Sequence, residues 1–214
     1  MNYTTRSNRS VLQSLRSLIP EREDITPDEA LRVAELQASR LLALHGVTTW
    51  PVPREIITEL PKIRVLPSSN ITDGACFWDT RGQQWVILLA RSDSWRRQRF
   101  TLAHEYHHII SHTARDQLFR DTHSRTGMLT AERQAEQTAD YFAGCLLIPR
   151  MLLKRAWGNG IQHTDQLARL FDVSEQAIAV RLRQTGLVEQ RRRACASPSQ
   201  RPSRPALAGM GATR

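Results

Sequence analysis

His104-Glu105-Tyr106-His107-His108 sets two imidazoles four residues apart, with a carboxylate directly after the first. On an α-helix, positions i and i+4 lie one turn apart on one face, so both rings can reach a single ion. Two histidine nitrogens suit a tetrahedral Zn²⁺ with bonds of about 2.0–2.1 Å. Glu105 is turned about 100° around such a helix from His104. That puts it beside the metal's open position, where a general base is needed to take a proton from water. With seven histidines in 214 residues, chance produces this pattern with a frequency on the order of 0.01. Phe100, Leu102, Ala103, Ile109 and Ile110 flank it with apolar side chains at helical spacing, as a buried helix requires.

A catalytic zinc takes three protein ligands and leaves one position open. The third ligand must come from another element, and Glu136 is the best candidate. Asp140 follows it at i+4 on the same face, so one carboxylate can ligate while the other accepts the N–H of a ligating histidine and fixes its tautomer. Ala139, Ala143 and Gly144 let this helix approach the first closely, and Ala135, Phe142 and Leu146 supply core contacts. Glu132, one turn earlier, is the alternative ligand. His112 stands at i+4 from His108 but belongs to the helix end, where an imidazole meets the last carbonyls. His107 points away from the pair, and His45, His123 and His163 read as surface or capping residues. Cys145 reads as a small buried apolar residue. Nothing local supports a Cys–His protease. A group that stabilises the oxyanion is also needed, and the sequence leaves it open among Tyr106, Tyr141, His112 and His123.

Two helices must therefore be held face to face. Asp93 or Ser94 caps the first, which runs to about Ser111, and Thr130 caps the second, which Pro149 ends or redirects. Ahead of them, Thr26-Pro27-Asp28-Glu29 starts a helix that Gly46 stops, and a shorter helix covers Arg54 to Leu60. Ile63 to Leu66, Gly74 to Trp78 and Gln84 to Leu89 read as short strands, the last two joined by a hairpin-length turn. The expected fold class is α+β: mainly helical, with a small antiparallel sheet.

After the second helix, Gln166 to Leu182 reads as a helix-turn-helix, with a Ser174-capped second helix. Arg181 and Arg183 sit late on it and Arg191 to Arg193 follow, which offers a weak nucleic-acid contact. Base contacts normally come from the N-terminal end of such a helix, and here Glu175 stands there, an acid that disfavours phosphate. Residues 190–214 carry six arginines and no acid, two thirds of the net charge of +9. The basic excess therefore belongs to a tail rich in Pro, Ser and Arg, read as disordered. The polar start shows no secretory signal, no apolar run approaches the roughly 18–20 residues of a membrane span, and three cysteines without a CxxC fit a reducing compartment. These features point to a cytoplasmic protein without a membrane partner.

Arg99 to His108 resembles the active helix of the ImmA/IrrE family of zinc metallopeptidases. Glu136 to Pro149 resembles that family's Glu-x-x-Ala-(Asn/Asp)-x-Phe-Ala-x-x-Leu-Leu-x-Pro segment, with 27 residues between His108 and Glu136. Pro51-Val52-Pro53 and Gly74 match in order, and the likeness spans about 27–188. The pair is also similar to the gluzincin arrangement, H-E-x-x-H followed by E-x-x-x-D. Tyr106-His107 departs from the Leu-Gly common in the family, and His107 should crowd what packs behind the helix. The resemblance implies a zincin-like fold, one zinc per chain and, as substrate, a cognate helix-turn-helix repressor whose cleavage switches on stress-response or mobile-element genes. Together with composition, it divides the chain into a flexible N-terminal segment (1–20), the metallopeptidase domain (21–158), a helix-turn-helix-like segment packed on it (159–188) and a disordered Arg/Pro-rich tail (189–214). The rival expectations are a DNA-binding regulator with a non-catalytic metal site and an accessory component of a toxin–antitoxin pair.

Overall fold

The computed structural model describes residues 10–23, 25–124 and 127–187. In chain order the elements are α1 (Val11–Arg16), α2 (Pro27–Leu44), α3 (Glu55–Thr58), β1 (Ile63–Ser68), β2 (Ala75–Asp79), β3 (Gln84–Ala90) and α4 (Trp95–Ser111). A 3₁₀ turn, α5 (Arg115–Leu118), β4 (Thr122–Ser124), β5 (Gly127–Leu129), α6 (Ala131–Leu147), α7 (Arg150–Gly158), α8 (Thr164–Phe171) and α9 (Glu175–Thr185) complete the fold. The fold class is α+β, as the sequence implies.

Local chemistry sets the helix boundaries. Thr26 and Glu29 form a reciprocal capping box at the start of α2, with Pro27 in the first turn, and Gly46 at φ +62° ends it. Ser94 and Thr130 cap α4 and α6, each accepting a hydrogen bond from the backbone three residues on. Alanines at 34, 38, 139 and 143 are buried and bring the helix axes close, while Phe142, Leu146, Ile109 and Leu41 fill the space between.

The sheet differs from expectation. β2 and β3 form the anticipated antiparallel hairpin, but β1 pairs with β3 in parallel, so the three strands run in the order β1-β3-β2 and the sheet is mixed. The cause is the apolarity of β3. Trp85, Val86, Ile87, Leu89 and Ala90 are all buried, which demands the central position. The link 69–74 therefore carries the chain across to the far edge before it returns. β2, with Phe77 and Trp78 partly exposed, is an edge strand.

Residues 10–20, expected to belong to a flexible N-terminal segment, carry a capped helix. Ser10 and Gln13 form a capping box, and Leu15 is wholly buried. Arg16 donates to the carbonyls of Ile109 and Ile110 at 2.8 and 3.1 Å, satisfying groups at the end of α4 that helix geometry leaves open. Residues 1–9 and the tail from 188 lie outside the described residues. Four features carry no expectation from the sequence: the 3₁₀ turn, α5 and the β4–β5 hairpin in the polar stretch before α6, and α7 directly after Pro149.

The α8–α9 pair shares the main core. Leu167, Phe171, Ile178 and Leu182 belong to the same buried cluster as Phe142 and Leu146. Asp172, left-handed at φ +52°, ends α8 and accepts from Trp95 Nε1 at 2.8 Å and Arg96 Nε at 3.3 Å; buried Arg99 pairs with it at 3.6 Å.

Candidate metal centre and active-site cleft

One turn of α4 separates His104 from His108, and their rings meet edge-on with centroids 4.8 Å apart. Their Nε2 atoms are 3.0 Å apart. α6 brings Glu136 over both: Oε2 lies 3.2 Å from His104 Nε2, and Oε1 lies 3.3 Å from His108 Nε2. Two donors on a tetrahedral ion with bonds of 2.0–2.1 Å sit about 3.3 Å apart. The N···N separation and the N···O separation from each ring to one carboxylate oxygen are all close to that length, so two imidazoles and the Glu136 carboxylate suit a zinc-sized ion. Among the described residues, His104, His108 and Glu136 are the group able to hold a metal.

Asp140 accepts from His104 Nδ1 at 2.9 Å. This bond directs the lone pair of Nε2 toward the other two donors. Burial opposes the charging of His104, but the Asp140 hydrogen bond, with the charges of Asp140, Glu105 and Glu136, raises its pKa overall. His108 has no such partner. Burial, then His104 and Arg115, push it down to about 4, which leaves it neutral and free to ligate. Glu132, the alternative ligand, is ion-paired with Arg115. Its place one turn from the triangle explains why Glu136 takes the position.

Glu105 stands outside the triangle, buried against the start of β2. Burial raises the pKa of its carboxyl, countered by a hydrogen bond from the Cys76 thiol and by His104. The fit is close. A Cβ on Gly74 would lie 2.3 Å from Thr101 Cγ2 and 2.7 Å from Glu105 Oε1, so only glycine lets the strand meet the helix here. Cys76 was missed by sequence reasoning. Its one signal was the alternation of β2, which turns residues 74 and 76 to the same face.

The centre opens into a cleft of about 850 Å³ between β2 on one side and α4 and α6 on the other, with Phe77, Trp78, His112 and Arg115 on its walls. His112 stacks edge-on against Trp85 at 4.9 Å and does not join the metal group. Tyr106 is fully buried and packs toward Phe142. The Tyr141 hydroxyl donates to Glu35 at 3.2 Å. Of the four candidates for the oxyanion group, His112 is therefore the one whose described side chain lines the cleft; the side chain of His123 lies outside the described residues. His107 packs against Phe142 at 5.1 Å, and burial drives its pKa down to about 3.

The family is decided by sequence. The profile of the peptidase M78 family, described as the IrrE N-terminal-like domain, matches residues 61–183, more than half of the chain and all of the metal centre. The chain belongs to this family. No curated protein matches its sequence. Among solved structures, a Mycobacterium tuberculosis transcriptional regulator is similar at 21% identity and a TM-score of 0.49, over 81% of this chain and 52% of that one. This chain thus spans about half the length of that structure.

Arg181, expected to offer a weak nucleic-acid contact, is turned inward. Its side chain is 3% exposed. It donates to the Ile148 carbonyl at 3.2 Å, pairs with Glu35 at 3.3 Å and lies over the Tyr141 ring. A guanidinium so used cannot reach a phosphate. Arg183 is exposed, and Arg191 to Arg193 lie outside the described residues. Among the described residues, no helix is long and apolar enough to cross a membrane.

Proposed function

We propose that this peptidase is a cytoplasmic zinc endopeptidase, with one zinc per chain, that hydrolyses a peptide bond in a cognate helix-turn-helix repressor and so relieves repression of stress-response or mobile-element genes. The observation that carries the metallopeptidase part is the triangle of His104, His108 and Glu136 with a buried carboxyl, Glu105, directly beside it. The repressor substrate rests on the family resemblance.

His104, His108 and Glu136 would hold the ion, and Asp140 keeps His104 oriented. Zinc in such a site supplies Lewis-acid polarisation of the scissile carbonyl and makes water acidic near neutrality. Glu105 takes the proton from the attacking water and returns it to the leaving amine. Its raised pKa suits both tasks, since a base that also acts as acid works best near the ambient pH. β2 is an edge strand, so its outer backbone groups can pair with an extended polypeptide laid along the cleft. His112 is placed to stabilise developing negative charge on the carbonyl oxygen.

The test is incubation of the zinc-loaded protein with repressors encoded beside its gene, followed by intact-mass spectrometry. Two defined fragments whose masses sum to the repressor plus one water are expected. Tight binding without fragments would favour the toxin–antitoxin reading instead.

A further inference from the structure

A second groove, of about 830 Å³, runs from the metal centre to the helix-turn-helix-like pair. It is continuous with the catalytic cleft, because Arg97, Phe100 and Asp140 line both. Its far wall is the first half of α9, including Gln176, Ala177 and Val180. That is the face a DNA-reading helix would present to base edges. Here it looks onto a channel that ends at the peptidase centre.

The walls also state what they can accept. Phe100, Gly144, Ala177 and Val180 contribute apolar surface, and Val180 remains 36% exposed. The arginines already have carboxylate partners: Arg96 with Asp172, Arg97 with Asp73, and Arg181 with Glu35. Gln137, Gln176 and Gln184 add neutral amides that can bond a polypeptide backbone. Asp140 and Glu175 place carboxylates on the same walls, so the groove favours an apolar segment without acidic side chains and has little to offer a phosphate or an acidic tail.

We infer that this groove is an exosite for the substrate chain: it binds an apolar stretch without acidic side chains that flanks the scissile bond, and α9 serves as its recognition wall. The inference rests on the peptidase reading, since continuity with the cleft is what makes the occupant the same chain as the one being cut. The helix pair is thereby a substrate reader held in fixed register with the metal centre by Asp172 and Arg181.

Gly144 gives a clean test. A Cβ added there meets nothing within 4 Å, and a larger residue favours the helix, so Gly144→Leu fills the groove without disturbing the fold. Val180→Glu, which sets a charge in the apolar wall, is the second variant. For each, kcat/KM is measured on a full-length repressor and on a short peptide carrying only the residues around the bond cut. The ratio of the two is expected to fall about tenfold, through KM on the repressor. An unchanged ratio in both variants overturns the exosite while leaving the peptidase intact. If the wild-type protein leaves the repressors uncut, the peptidase reading fails, and hydrogen exchange decides the groove. In zinc-loaded Glu105→Gln protein, repressor should slow exchange across residues 175–184, and Gly144→Leu should abolish that protection. Exchange in α9 that ignores the repressor overturns the proposal.

Discussion

Helices α4 and α6 send His104, His108 and Glu136 outward to a common point in a cleft, whereas α8 and α9 turn Asp172 and Arg181 inward onto their neighbours. Both pairs pack through alanines and large apolar side chains, so packing alone does not separate them. The difference lies in where the polar atoms find partners. In the first pair the donors converge on one another across gaps of 3.0–3.3 Å that an ion would fill. In the second, the same kind of residue closes onto carbonyls, an indole and carboxylates of the fold. A helix-turn-helix outline in sequence therefore says little about DNA until the partners of its arginines are known.

Changes at the centre should produce the largest effects. Glu105→Gln is expected to lower peptide hydrolysis by at least about 100-fold while zinc content by elemental analysis stays the same; His104→Ala should lose the metal itself. Asp140→Asn leaves the ligands in place but weakens the hold on His104, and zinc affinity by chelator competition should drop about 10-fold or more. Arg181→Met tests the other pair. It removes the bond to the Ile148 carbonyl and the partner of Glu35, and urea unfolding should register a loss of about 2–4 kcal/mol. Any retention on nucleic acid should not change, because Arg181 is not available to it. The smallest effect concerns Cys76. Burial and the neighbouring Glu105 raise its pKa, so thiolate is scarce and alkylation at pH 8 should be slower than for a free model thiol. Glu105→Gln removes the Glu105 charge, leaving burial and the charge of Glu136, and should speed alkylation a few-fold, read by mass spectrometry.

Much of the metal centre was legible because it depends on local periodicity. The spacing of His104 and His108 fixes one face of a helix, and Asp140 four residues after Glu136 marks a second face carrying two carboxylates. The strands at β2 and β3 were equally local, since a short polar turn separates two apolar runs. What stayed hidden depends on contacts between distant segments. The parallel pairing of β1 follows from the burial of β3 on both edges, which no residue in β1 announces. The seat of Leu15 and Arg16 against the end of α4 joins positions more than 90 apart in the chain. Arg181 looks like any late basic residue of a recognition helix until Glu35 and Ile148 are brought beside it. Cys76 gains meaning only because Gly74 allows β2 to touch the catalytic helix.

Asp172 has a practical corollary for anyone dissecting the protein. Trp95, Arg96 and Arg99 all lie in the first two turns of α4, and all three reach for that one carboxylate across the α8–α9 turn. Stopping the chain after Gly158 would take from Arg99, a deeply enclosed cation, its ion-pair partner, and would loosen the rod that carries the histidines. The smallest autonomous fragment that keeps this site must include residues 159–187, even though none of them belongs to the His104, His108 and Glu136 group.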